Sequence, residues 1–180
     1  MFVQIQNTPN PNSLKFLPGK KVSEVGPLEF LDISDSNNEL IKNILSINGV
    51  RGIFLYEDFL SVSKKSETEW SEIKHIVISY INDYYQKGNE SIIKTNNENI
   101  SEINLSSIEK KIKHILETKV RPAVSKDGGD ITFLEYNDGK VTVKLQGSCA
   151  GCPSSTLTLK KGVESLLSHY IPEVKEVISS

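Results

Sequence analysis

Residues 131–153 read ITFLEYNDGKVTVKLQGSCAGCP. Two apolar runs, 131–136 and 141–145, flank Asn137-Asp138-Gly139, a strong signal for a tight β-hairpin. Val141, Val143 and Leu145 alternate with Thr142 and Lys144, so one face of the second strand is buried. The chain then turns through small residues to Pro153, a residue favoured at the first position inside a helix. Leu159, Val163, Leu166, Leu167 and Tyr170 follow at spacings that bury that helix against the sheet. Residues 173–178 read as a short closing strand. Upstream, Ser106-Ser107-Ile108-Glu109 has the spacing of a capping box. Leu105, Ile108, Ile112, Ile115 and Leu116 form an apolar stripe behind it, with Lys110, Lys111 and Lys113 opposite. Arg121-Pro122 disfavours further helix. The order over 105–180 is therefore αββαβ, an α+β domain.

The first half predicts a second small α+β unit over 1–87. Residues 2–6 and 13–17 read as strands. Thr8-Pro9-Asn10-Pro11-Asn12 between them is a turn, because proline lacks a donor and asparagine favours turns. Ser36 and Glu39 have capping-box spacing ahead of Leu40, Ile41, Ile44 and Leu45. Residues 53–56 and 60–64 make a hairpin about Glu57-Asp58. Ser66 to Glu69 repeats the capping signal before Trp70, Ile73, Val77, Ile81 and Tyr84. That order is ββαββα. Residues 88–104, rich in Asn, Ser and Glu, read as a linker, and Ile92, Ile93, Ile100 and Ile103 make it unusually apolar for one.

Composition narrows the function. The chain has 180 residues and a formal net charge of −2, which gives no footing for nucleic acid or an anionic membrane surface. No apolar run approaches the roughly 18 residues of a bilayer span. Two cysteines are too few for a disulfide scaffold, so a reducing compartment is expected. The chain is rich in Ile, Lys and Asn and begins on strand-like residues. Both features point to a bacterial cytoplasm, or to the mitochondrial matrix if a transit peptide has been removed.

Those two cysteines, Cys149 and Cys152, sit three apart where the last helix begins. Cys152 is the expected N-cap, so backbone N–H groups and the positive end of the helix dipole face both sulfurs. The expectation is thiolates with pKa below the free value of about 8.5, presented outward by Ser148, Ala150, Gly151, Ser154 and Ser155. Neither thiol is expected to fill a core. Three uses compete. A dithiol–disulfide couple fits the local turn. Zinc and iron–sulfur clusters both want four ligands, and His75, His114 and His169 lie on predicted helices without matching spacing. Two thiols per chain become four where two chains meet about a twofold axis. Spacing alone leaves the redox couple and the shared metal site level.

Further residues carry a resemblance. The run from Thr118 to Val124, Asp127-Gly128-Gly129-Asp130-Ile131, Gly147 to Ser155, Leu159-Lys160 and Tyr170 to Val174 resemble the C-terminal domain of the NifU family, the Nfu-type iron–sulfur cluster carriers. Thr8 to Phe16 and Asp58-Phe59-Leu60-Ser61-Val62 resemble the Nfu N-terminal domain. The resemblance implies a non-enzyme that binds a [4Fe–4S] cluster through Cys149 and Cys152. The cluster is shared between two subunits of a homodimer, received from an upstream donor and passed to apo iron–sulfur proteins. The N-terminal domain, which has no reactive residue set, is assigned to recognising partners or modulating transfer. The alternative is a thiol–disulfide oxidoreductase using the same pair.

Other features have plainer readings. Asp127-Gly128-Gly129-Asp130 is expected to be a turn that needs positive φ rather than a cation site. His169 is a favourable dipole contact at a helix C-terminus, and Trp70 and Tyr84 are core residues.

Overall fold

The computed structural model describes residues 3–94, 105–151 and 153–180, without the side chains of 153–155. The chain divides into two compact units, one up to Asn96 and one from Asn97. Each combines helices with a sheet, so the protein is α+β.

The first unit is a five-stranded sheet in the order β1-β2-β5-β4-β3, formed by β1 (Gln4–Asn7), β2 (Ser13–Leu17), β3 (Leu28–Phe30), β4 (Val50–Leu55) and β5 (Leu60–Lys64). All its pairings are antiparallel. Helices α1 (Glu39–Leu45) and α2 (Trp70–Gln86) supply Leu40, Ile41, Ile44, Val77 and Ile81 to one core with Leu14, Phe16, Ile53, Leu55, Leu60 and Val62. Strand periodicity explains the sheet side of that core, since alternate residues share a face. The Pro/Asn stretch before β2 is a structural turn, as expected. Thr8 Oγ1 donates to the Asn10 carbonyl at 2.9 Å, and Trp70 Nε1 donates to the Pro11 carbonyl at 3.0 Å. Trp70 and Tyr84 are half-buried at the rim of the core, each with a hydrogen bond outward from it.

Three local expectations differ. The element order gains β3, so the unit is not simply ββαββα. Three residues are too few for a periodic signal, and only pairing with β4 makes them a strand. Second, α1 is capped by Asn38 rather than Ser36. Asn38 Oδ1 accepts from the Leu40 N–H, while its Nδ2 donates to Tyr84 Oη and to the Ile92 carbonyl. Those long-range partners outweigh the local capping box. Third, α2 starts after Glu69 with no side-chain cap at all. Ile92, from the stretch expected to be linker, is buried in the core of this unit and Ile93 packs against it.

In the second unit, α3 (Ser107–Ile115) opens on the expected capping box, with both Ser106–Glu109 bonds present. The helix then continues where proline was expected to end it. A π-helical turn, Leu116–Val120, leads into α4 (Arg121–Lys126), which carries Pro122 near its start. The wider π turn lets the Arg121 N–H donate to the Leu116 carbonyl, five residues back, immediately before the proline, which has no N–H to place. Arg121 holds this path. Its Nε and Nη2 donate to the two oxygens of Asp130, at 2.8 and 3.0 Å, and Asp130 is 0 % exposed.

Asp130 belongs to β6 (Gly129–Asn137), which pairs antiparallel with β7 (Lys140–Gly147). The turn between them has positive φ at Asp138 and Gly139, as the Asn-Asp-Gly signal requires. Helix α5 (Pro153–Tyr170) returns the chain to β8 (Glu176–Ser179), which pairs parallel with β7. Val163 and Leu167 are buried on α5, but Tyr170 is half exposed, with Lys119 Nζ 5.1 Å above its ring. No helix among the described residues is long and apolar enough to cross a membrane.

Arg121→Ala would leave a fully buried carboxylate without its ion pair. Removing one partner of such a pair costs about 3 kcal/mol. The expected outcome is a lowered urea midpoint for the second unit, with Asp130→Asn milder; equal stability to the parent would contradict the assignment.

Candidate functional site

The turn that carries the thiol pair is set by the end of β7. Gly147 pairs with Gly129 at the start of β6, so residues 147–149 lie against residues 127–129. The Ser148 N–H donates to the Gly128 carbonyl at 3.2 Å, and Ser148 Oγ donates to the Asp127 carbonyl. The Ala150 N–H bonds back to the Gly147 carbonyl, and Thr156 Oγ1, from the first turns of α5, donates to the Cys149 carbonyl at 3.0 Å. The cysteine backbone is thus tied to the sheet on one side and to the helix on the other.

This arrangement turns Cys149 inward. The residue is 9 % exposed and belongs to the core with Val124, Ile131, Leu145 and Val163. Burial pushes its thiol up from an ordinary 9.0 to about 11; the side-chain hydrogen bond between Ser148 and Cys149 offsets this in part, and Asp127 and Asp130 add to it. The expectation of an outward thiolate is therefore overturned for Cys149, and so is the expectation that it fills no core. Desolvation disfavours the charged form of a buried thiol and is the largest influence on it here. Cys152, expected at the N-cap, lies outside the described residues.

The other singled-out residues stay apart. Asp127 is exposed while Asp130 points into the ion pair with Arg121, so the two carboxylates do not converge. Gly128 has φ +84, as a turn requires. His75, His114 and His169 are all exposed. Among the described residues no three His, Cys, Asp or Glu side chains come together to hold a metal.

Sequence reasoning missed Gly129. A methyl group there would stand 2.7 Å from both Cys149 Sγ and the Gln146 carbonyl oxygen. A glycine inside a strand marks a close approach, and that was the available signal; its partner was not readable from the sequence. Ser148 and Arg121 were missed for the same reason, since their partners lie across the fold.

Relatives of known family match both units. Residues 3–88 match the family described as scaffold protein Nfu/NifU N terminal, and residues 112–178 match the NifU-like domain. The chain is 42% identical over 181 residues to the NFU1 iron-sulfur cluster scaffold homolog, mitochondrial, of Drosophila willistoni, covering 98% of this chain and 63% of that protein. It is 40% identical over 184 residues to NifU-like protein 4, mitochondrial, of Arabidopsis thaliana, covering 98% and 65%. It thus spans slightly under two thirds of the length of these curated relatives. Among solved structures, a NifU-like protein from Saccharomyces cerevisiae aligns with TM-score 0.48 and 22% identity, over 53% of this chain and 87% of that one. SAV1430 from Staphylococcus aureus aligns with TM-score 0.41 and 28% identity, over 44% and 98%.

The Cys149 environment makes a pH prediction for metal-free protein. The folded state holds the thiol proton more tightly than the unfolded chain, so this stabilisation is full below pH 9.0 and lost as pH rises towards about 11. Across that window the stability advantage of the parent over Cys149→Ala should shrink by about 2 kcal/mol. A difference that stays constant from pH 8 to 11, measured by denaturant unfolding, would contradict the buried thiol.

With an Nfu/NifU N-terminal domain followed by a NifU-like domain, the chain belongs to the Nfu family of NifU-like proteins.

Proposed function

We propose that the protein is an iron–sulfur cluster carrier. It takes a [4Fe–4S] cluster as cargo, holds it between two copies through Cys149 and Cys152 of each, and releases it to apo-proteins. The observation that carries this reading is arithmetic and chemical. The chain has two cysteines in all, both in one turn, and the cluster wants four thiolates. Only a second copy makes up the number. A cluster held half by each partner sits at a subunit boundary, where it is readily surrendered.

The donor type fits, and the pose of Cys149 sets a condition. A buried thiol with pKa about 11 is a poor ligand until its proton leaves, and metal binding supplies that driving force, because ligation is linked to deprotonation. The same burial makes Cys149 unsuited to the attacking role in the oxidoreductase alternative, because an attacking thiol has to be exposed and readily ionised. The names of the relatives support the scaffold class, a donor and recipients in general, and a role without catalysis. They also favour a mitochondrial location over the bacterial cytoplasm.

Anaerobic reconstitution with iron and sulfide tests the proposal. The parent should gain a broad band near 400 nm and about two irons per chain. Cys149→Ser and Cys152→Ser should each lose most of both, and Cys149→Ser should also lose about 1–2 kcal/mol of stability, since a hydroxyl replaces a buried thiol. A protein that stays colourless and reduces a test disulfide would instead be the oxidoreductase.

A further inference from the structure

We propose that residues 127–129 form a seat that stows Cys149 in a non-coordinating pose, with Gly129 as its positioning residue, and that the turn must hinge outward before this thiol can bind metal. The inference rests on Cys149 being a cluster ligand and adds a step that precedes loading.

Three observations support the seat. The first is steric. Sγ of Cys149 occupies the space beside Gly129, and a methyl on Gly129 would meet Sγ and the Gln146 carbonyl oxygen at 2.7 Å, and Cys149 Cβ at 3.1 Å. A side chain there fits only if both the thiol and the Gln146 carbonyl give way. The second is the set of ties. Both the N–H and the hydroxyl of Ser148, itself 2 % exposed, bond to carbonyls of this seat. The third is the pair of glycines that bracket the turn, Gly147 with φ +67 and Gly151 with φ +78. Among the described residues other than its chain neighbours, nothing lies within 4 Å of a Cβ built at Gly151. Glycine pivots in this region of backbone space without a side-chain penalty, so the turn has rigid contacts in its middle and hinges at its ends.

Stowage has a chemical consequence. A soft nucleophile kept inside the core is shielded from alkylating and oxidising reagents while no cluster is present. Loading then exchanges contacts in the seat for bonds to iron.

The test is thiol accessibility in metal-free, reduced, full-length Cys152→Ser protein. Iodoacetamide labelling is followed by mass spectrometry, with the same protein unfolded in guanidinium as the ceiling. Folded Cys149 should react at least ~10-fold more slowly than the ceiling, since labelling waits on local opening. Adding Gly129→Ala should close most of that gap while circular dichroism stays native. Ser148→Ala keeps the seat open but loses one tie; it should give a smaller rise, and it stands as the mutational arm if Gly129→Ala fails to fold. Folded Cys149 that labels within ~2-fold of the ceiling overturns the seat, as does full protection retained in the folded variants. Reconstitution of Cys149→Ser separates the two ideas. A cluster retained there ends the ligand role and leaves the seat standing. A freely labelled Cys149 that is still required for the cluster does the reverse.

Discussion

The close approach of the 147–149 turn to the 127–129 turn organises the second unit. It exists because Gly129 has no side chain and because Ser148 satisfies two carbonyls across the gap. The β6–β7 ladder sets the register that brings the turns together. Arg121, placed by the π-helical turn that precedes it, neutralises Asp130 one residue further along β6. The ion pair, the ladder and the missing Cβ converge on one result, a fixed position for the Cys149 backbone. Chemistry built on that residue starts from this held position.

Rigidity and reactivity pull against each other here. A helix N-terminus beside a cysteine favours the thiolate, whereas burial in an apolar core favours the thiol. For Cys149 burial wins. A carrier gains from that outcome, because a metal-free thiol that ionised freely would be open to oxidation. The same outcome handicaps Cys149 as the attacking thiol of a disulfide exchange, a step that depends on a ready nucleophile. The burial of one sulfur thus bears on which of two C-x-x-C chemistries the turn serves.

Much of the fold was legible in the residues. Alternation marked β7, and Asn137-Asp138-Gly139 marked the turn between it and β6. Pro153 marked the start of α5. What escaped was set at long range. β3 is a strand only because β4 lies beside it, and Asn38 caps α1 because Tyr84 and Ile92 hold its amide. The helix runs on through Pro122 because Arg121 has a buried partner nine residues away. The same division holds at the site. Two cysteines three apart announce soft-metal or thiol chemistry by their identity alone. The direction in which Cys149 points depends on a glycine twenty residues earlier, and no local pattern encodes it.

Sulfur stoichiometry is the point on which the functional reading stands, and native mass spectrometry of anaerobically loaded protein measures it directly. Iron and sulfide carried only by particles of two chains, with four irons per particle, is the predicted spectrum. A loaded single chain, or a two-chain particle in which Cys149→Ser copies carry the same iron, would contradict it.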